Sequence, residues 1–219
     1  MIHDLLLGNK IQQQEQGTPW TFENDPFEQY VIFRTRAEGP TLVDDFGHTF
    51  TNAGSAISYV NPVEGAGCLD LTPGIIYTNP PTSTFALPGM FTVDFYIRHT
   101  AAFSMGSMFS LGPYYNGILV RNNLFDPFYV NGEKQPINVS PVPIDSQWHK
   151  VVVDRDGDNV LRLLVDDVVK SSTVVNGTIN SAGNKILLGA SYHSQTERMA
   201  GQMDFCRLTK GISRFAESL

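Results

Sequence analysis

Residues 147–171, QWHKVVVDRDGDNVLRLLVDDVVKS, constrain this chain more than any other stretch. Runs rich in β-branched and aliphatic residues (Val151–Val153, Val160–Val165, Val168-Val169) are separated by Asp154–Asn159, with Asp156-Gly157 at its centre, and by Asp166-Asp167. Short apolar runs punctuated by turn residues read as strands. Asp-Gly between two such runs is a strong hairpin signal, because a type I′ turn needs positive φ at both central residues. The spacing predicts that turn at Asp156-Gly157 and a second reversal at Asp166-Asp167. Three strands in so few residues specify an antiparallel sheet.

The rest of the chain is compatible with one all-β domain. It has 219 residues, 42% hydrophobic and only 17% charged, with 19 Gly and 13 Pro. That composition suits many short strands and many turns, and a chain of this length buries about 70% of its unfolded surface. The formal net charge is −7 and no Lys/Arg cluster is present, which argues against a nucleic-acid surface. The N-terminus, Met1-Ile2-His3-Asp4-Leu5-Leu6-Leu7-Gly8, has no basic leader and too short an apolar run for a signal peptide or a membrane span. The expectation is a protein made in a cytoplasm, with no membrane partner.

Several segments carry a family resemblance. Trp148-His149-Lys150-Val151-Val152-Val153, a hairpin, then Leu161-Arg162-Leu163-Leu164-Val165-Asp166 is similar to the laminin-G-like branch of the concanavalin A-like lectin/glucanase jelly rolls. Leu42-Val43-Asp44-Asp45-Phe46-Gly47, Gly65–Leu71, Phe91–Arg98 and Lys185–Gly189 resemble further motifs of that branch, in the same order. This chain has Asp167 where the family usually has Gly, and Asp tolerates the left-handed region better than most residues. The closing segment, Gly201–Phe215, resembles laminin-G-like proteins of tailed bacteriophages. The resemblance starts at Asp25. It implies a jelly-roll sandwich of two antiparallel sheets over residues 24–219, preceded by an N-terminal arm, residues 1–23. Period-two alternation puts Phe91, Val93, Phe95 and Ile97 on one face and Thr92, Asp94, Tyr96 and Arg98 on the other. Val151, Val153, Leu161 and Leu163 join the first set in the expected core.

Cys68 and Cys206 lack the paired spacing of a zinc site. Each falls in an apparent strand, and the resemblance makes those strands neighbours. Two readings stand: buried free thiols behaving as small hydrophobes, or a disulfide.

Glycoside hydrolysis needs two carboxylates facing each other, roughly 5–10 Å apart. The strand acids here are Asp70, Asp94 and Asp204, one per strand, without the Glu-x-Asp-x-x-Glu run of the glucanase branch. No catalytic residue is assigned, and a hydrolase is the least supported alternative. Asp154–Asn159 could be taken for a calcium loop, with Asp44 and Asp45 as a second candidate, but a solvated hairpin turn explains the first without a metal. No metal or cofactor is expected. Sugar sites combine aromatic faces with a few polar groups. Tyr114-Tyr115-Asn116 and Tyr192-His193 sit in expected loops and are the candidate ligand-binding residues. The competing reading is that these rings cap the ends of the sandwich or pack on a neighbouring subunit. Trp148 and Tyr96 are assigned to the core or its edge.

The arm lacks the periodicity to fold alone, yet carries Leu5, Leu6, Leu7 and Trp20. These are expected to dock on a partner. The combined expectation is a non-enzymatic bacteriophage virion protein, a capsid decoration or tail-surface protein. Its arm would hold other virion structural proteins and its jelly roll would meet host-surface glycans. The alternative from a different class is a free-standing carbohydrate-binding adhesin.

Overall fold

The computed structural model describes residues 25–37, 42–48, 50–51, 57–72, 76–78, 84–99, 105–111, 116–121, 124–125, 129–130, 133–134, 140–179, 185–190 and 199–215. Strands are numbered in chain order. One sheet runs β16 (Val168–Val174), β15 (Val160–Val165), β14 (His149–Arg155), β7 (Phe91–Arg98), β18 (Gln202–Lys210), β1 (Val31–Arg36), β2 (Val43–Asp44). β5 (Cys68–Asp70) also pairs with β18, and β4 (Ile57–Ser58) pairs with β5. The second sheet runs β12 (Glu133–Lys134), β11 (Tyr129–Val130), β9 (Asn116–Arg121), β8 (Met105–Leu111), β17 (Ile186–Leu188), β6 (Ile76–Thr78), β3 (Phe50–Thr51). β10 (Leu124–Phe125) joins it beside β9, and β13 (Ser140–Pro141) pairs with β10. Pairing is antiparallel throughout the described strands, and the first strand lies beside the last. This is the jelly-roll sandwich that the sequence implies.

The alternation of the two central strands explains the core. Phe91, Val93, Phe95 and Ile97 of β7 stand opposite Arg155, Val153, Val151 and His149 of β14. Residues directly opposite share a face, so the apolar members of both strands point into the sandwich. They meet Leu161 and Leu163 of β15, and Met108, Phe109, Leu111, Ile186 and Leu188 of the second sheet, in one buried cluster.

The two reversals differ from expectation in an instructive way. Gly157 does not take positive φ; Asn159 does, at +63°. Asn159 N–H donates to the Asp156 carbonyl at 3.2 Å, and Asp156 N–H to the Val160 carbonyl at 3.1 Å. The loop is therefore a type I turn closed by a left-handed residue, not a type I′ turn on Asp156-Gly157. The Asp156 side chain decides this, because its carboxylate accepts the Asp158 and Val160 N–H groups, each at 2.9 Å. The primed turn lies instead at Asp166 (φ +51°) and Asp167 (φ +60°).

The outer face of the first sheet is not simply solvated. Thr92 and Asp94 of β7, Asp154 of β14, and Arg207 and Thr209 of β18 are all buried. They are covered by the first and last described segments, Asp25–Phe27 and Ser213–Phe215. Arg207 Nε and Nη2 donate to the two Asp94 oxygens at 3.0 and 2.5 Å, and its Nη1 to Asp25 at 2.7 Å. Arg214 donates to both Asp25 oxygens at 2.8 Å and to Thr209 at 2.7 Å. Asp154 accepts from Thr92 at 2.7 Å and Ser213 at 2.6 Å. Burial raises the Asp154 pKa more than those hydroxyls lower it. At Asp25 burial acts in the same direction, but the Arg214 bonds and charge, then Phe27 N–H and Arg207, outweigh it and hold the carboxyl below its ordinary range.

Cys68 and Cys206 do lie on adjacent strands, β5 and β18, and both are free and buried. Leu69 stands opposite Met203, and both belong to the core cluster, so Cys68 faces outward. Cys206 faces the core. Two thiols on opposite faces of a sheet cannot bridge. Burial pushes the Cys68 thiol up to about 11, with Asp204 adding to the effect, so it is a poor nucleophile.

Candidate functional site on the outer sheet face

Tyr114, Tyr115, Tyr192 and His193 lie outside the described residues, as do the arm residues Leu5, Leu6, Leu7 and Trp20. Asn116 opens β9, where it stands opposite Leu111. The described residues that bracket the two tyrosine loops are Leu111 and Asn116 for one, and Ala190 and Met199 for the other. Gly189 N–H donates to the Met108 carbonyl at 3.0 Å. The two sets of anchors thus sit three residues apart along β8, about 10 Å.

The carboxylates that could suggest a metal have protein partners. Asp44 accepts the N–H groups of Arg34, Phe46 and His48 at 3.1, 3.0 and 2.9 Å, and faces His48 Nδ1 at 2.7 Å. Asp45 accepts from Arg34 at 2.5 Å, and Asp156 from Arg162 at 2.7 Å. The strand acids are committed as well. Asp94 binds Arg207, Asp70 accepts Thr72 N–H at 2.9 Å, and Asp204 accepts the N–H groups of Val63, Glu64 and Phe205 at 2.7, 3.1 and 2.8 Å. Carboxylates held this way serve as turn and loop anchors.

A different group of residues gathers on the outer face, at the Arg98 end of β7. This row draws its members from β4, β18 and β7 and from the residue just ahead of β14. Ser58 on β4 accepts a hydrogen bond from Gln202 Nε2 at the start of β18, at 2.9 Å. Gln202 Oε1 accepts one from Arg98 Nη2 at the end of β7. The Arg98 guanidinium lies 5.2 Å from the ring centroid of Trp148, just ahead of β14. The Trp148 indole N–H donates to the Asn61 carbonyl at 2.7 Å, which ties the row to the loop after β4. That loop folds back over the sheet because Asp204 holds its Val63 and Glu64 amides. Its tip leaves Tyr59 and Val60 each 58% exposed. These two adjacent side chains put apolar surface at the loop tip.

Alternation is what brings the row together. Arg98 stands opposite Gln202 in the β7–β18 ladder, and the residue before His149 falls opposite the residue after Ile97. Trp148 was expected at the core or its edge, and it is half-buried. The roles of Arg98, Gln202, Tyr59 and Val60 were missed. The Tyr59-Val60-Asn61-Pro62 loop, an aromatic and an aliphatic residue just ahead of Asn-Pro, is the sequence signal that could have found the site.

His149 holds this end of the sandwich in shape. Its Nδ1 is 2.7 Å from Asp166 and its Nε2 3.0 Å from Asp145. Asp166 also accepts Lys150 N–H at 3.0 Å, while Lys150 Nζ binds Asp167 at 2.8 Å. Ser146 N–H donates to the carbonyl of His99 at 3.1 Å, and burial pushes the His99 imidazole down to about 4, so that ring is neutral. A carboxylate on each nitrogen favours the charged form of His149, in which both ring positions donate. Burial lowers its pKa, but Asp166 and Asp145 together outweigh this and raise it above the ordinary histidine value. A raised folded-state value means that the stabilisation is complete below the unfolded value of about 6.5 and is lost as pH rises through the folded value. His149→Gln is therefore predicted to lower the urea midpoint most at about pH 5.5–6 and progressively less at alkaline pH. A deficit that stays flat or grows with pH would show that the carboxylates do not act through ring charge.

A model of the concanavalin A-like lectin/glucanases superfamily matches residues 75–211. Comparison with curated protein sequences gives no match. Among solved structures, the botulinum neurotoxin serotype G binding domain superposes with TM-score 0.61 at 15% identity, covering 86% of this chain and 49% of that one. The binding domain of botulinum neurotoxin DC in complex with SialylT gives 0.60 at 12%, covering 84% and 48%. Domain 4 of AbnA, a GH43 extracellular arabinanase of Geobacillus stearothermophilus, in complex with arabinotriose, gives 0.61 at 17%, covering 83% and 92%. This chain spans about half the length of the toxin binding domains it matches. Likeness at such low identity is a likeness of fold. With the family model matching well over half of its length, the chain belongs to the concanavalin A-like lectin/glucanase superfamily.

Proposed function

We propose that this is a non-catalytic, lectin-like carbohydrate-binding domain, displayed on a bacteriophage particle at the capsid or tail surface through its N-terminal arm. The observation that carries the binding half is the outer-face row: a fixed indole beside exposed Tyr59 and Val60, with Arg98, Gln202 and Ser58 supplying polar groups. Sugars need this combination of an apolar face and a few oriented hydrogen-bonding groups. Structural likeness to the fourth domain of an arabinanase, in complex with arabinotriose, supports the same reading. The strand carboxylates are engaged by arginine or backbone amides, which supports binding without hydrolysis.

Two features support the virion setting. The closing segment 201–215 resembles phage laminin-G-like proteins. Asp25, where the described chain begins, is clamped by Arg207 and Arg214. Anything attached through residues 1–23 would thus pull on a firm point of the sheet. On this reading the protein is made in the host cytoplasm, its arm partners are other virion structural proteins, and its ligands are host-surface glycans.

Deletion of residues 1–23 is predicted to leave the thermal midpoint of the isolated domain unchanged while abolishing incorporation into particles. Normal occupancy of the truncated protein would move the anchor to the domain itself and favour a free-standing adhesin. A truncated protein that fails to fold would make the arm part of the core. Glycan binding is read separately, on an array of immobilised sugars with the full chain.

A further inference from the structure

We propose that the row centred on Arg98 is a site for a carboxylate-bearing sugar, of the sialic or uronic acid class. This rests on the carbohydrate-binding reading above and adds to it the charge of the ligand. The chain carries 22 acidic residues against 15 Lys and Arg, so an arginine has no shortage of carboxylates to meet. Arg34 pairs with Glu28 and Asp45, Arg162 with Asp156, Arg207 with Asp25 and Asp94, and Arg214 with Asp25. Arg155 has neutral acceptors instead, Gly177 O and Asn159 Oδ1, but it is 1% exposed and closed to any ligand.

Arg98 differs from all of these. Its hydrogen bonds go to neutral oxygens, Gln202 Oε1 and, at 3.5 Å, the Val60 carbonyl. Its side chain is only half-buried, and Nη1 has no acceptor among the described residues. Nearby carboxylates are turned away: Asp204 to three backbone amides, Asp70 to Thr72 N–H, Asp145 to His149. The Trp148 ring lies within cation–π distance of the guanidinium, and Gln202 and Val60 hold its Nη2. Nη2 is bonded to Gln202 and Val60 and Nε is buried, so Nη1 is the donor left open to a carboxylate, through a charge-assisted hydrogen bond. The exposed Tyr59 and Val60 beside it provide apolar surface for the sugar ring, and the Asn61 carbonyl is already engaged by the indole. An incoming carboxylate would pair a cation that has no anionic partner among the described residues.

The test is a titration of the full chain with 3′-sialyllactose and with digalacturonate, each against its uncharged counterpart, lactose and digalactose. The indole N–H resonance of Trp148 is the readout, assigned by its loss in Trp148→Phe. The expected result is that the acidic sugars shift this resonance and bind at least about tenfold tighter than the neutral ones, a difference of about 1.4 kcal/mol. Arg98→Gln should remove the preference. Arg98→Lys, which keeps the charge but lacks the planar fork, should retain only part of it. Equal binding of acidic and neutral sugars, or a preference that survives Arg98→Gln in a folded protein, overturns the acidic-sugar site and leaves the glycan-binding reading standing. Binding to none of the four probes, nor to any sugar on the array, overturns both.

Discussion

Arg207→Met is expected to lower the unfolding free energy by about 3–5 kcal/mol, because it leaves buried carboxylates without their counter-ion. The Arg207 side chain is nearly sealed and donates three hydrogen bonds, two to Asp94 and one to Asp25. Asp25 keeps Arg214 when Arg207 is lost. Asp94 keeps no other ion pair among the described residues, and it is 2% exposed. Burial opposes the charge on Arg207, yet Asp94 and then Asp25 raise its pKa. The guanidinium is thus held by its acids and not merely tolerated. Net worth is a separate matter from the cost of breaking the pair, since apolar replacements of a whole buried cluster are often neutral. Arg207→Met combined with Asp94→Leu should accordingly recover much of the loss, a coupling of neighbours that a double-mutant cycle reads directly. Urea titrations of the four proteins supply the numbers. A single-mutant loss under about 1 kcal/mol would mean that water reaches Asp94 and that the terminal segments do not seal the face.

The same cluster marks the limit of what the sequence reveals. Phe91–Arg98 and Val151–Val153 are legible because a strand with one face on a core must alternate, and both strands do so. Leu161 and Leu163 follow from the hairpin. The type of that hairpin is less legible: Asp-Gly points to a primed turn, but the Asp156 carboxylate stabilises a four-residue loop through side-chain bonds. Asp166-Asp167 then takes the left-handed pair without glycine, held by His149 and Lys150. Two-residue strands such as β3 and β10 are too short to show any period. The seal on the outer face joins Asp25 to Arg207, 182 positions apart, and no local pattern encodes a contact at that separation.

The candidate site was legible only in part, for a related reason. Trp148 stands out in sequence, and its placement at the core edge agrees with its half-burial. Arg98 looks like one more polar residue on an alternating strand. Its interest comes from having no carboxylate partner among the described residues, which is visible only once the partners of the other arginines are known. The tyrosines chosen from sequence, Tyr114, Tyr115 and Tyr192, lie outside the described residues. The geometry therefore draws attention to a different aromatic surface, on the first sheet.

The second large effect is expected from Gly189→Ala, at about 2–5 kcal/mol. Gly189 ends the Lys185–Gly189 motif, at the exit of β17. Its φ is +72°, a conformation that costs an L-residue about 1–2 kcal/mol. A Cβ there would also lie 2.8 Å from Leu71 Cβ and 2.9 and 3.0 Å from its two δ carbons. Leu71 cannot step aside easily. It is fully buried in the core cluster, and its own N–H is bonded to the Gly201 carbonyl at 3.0 Å. Overpacking of this kind costs about 1–3 kcal/mol. Rotating the backbone to relieve φ is blocked in turn, because Gly189 N–H donates to Met108 and its carbonyl accepts Met199 N–H at 2.9 Å. The two contributions separate in a Leu71→Gly background, where the Cβ and both δ carbons of the clash are gone and only the backbone cost remains. There the added alanine should destabilise by about 1–2 kcal/mol, against the larger figure in the native background. An equal effect in both backgrounds would assign the glycine to conformation alone. A loss under about 0.5 kcal/mol in the native background would mean that the chain turns at Gly189 in some other way.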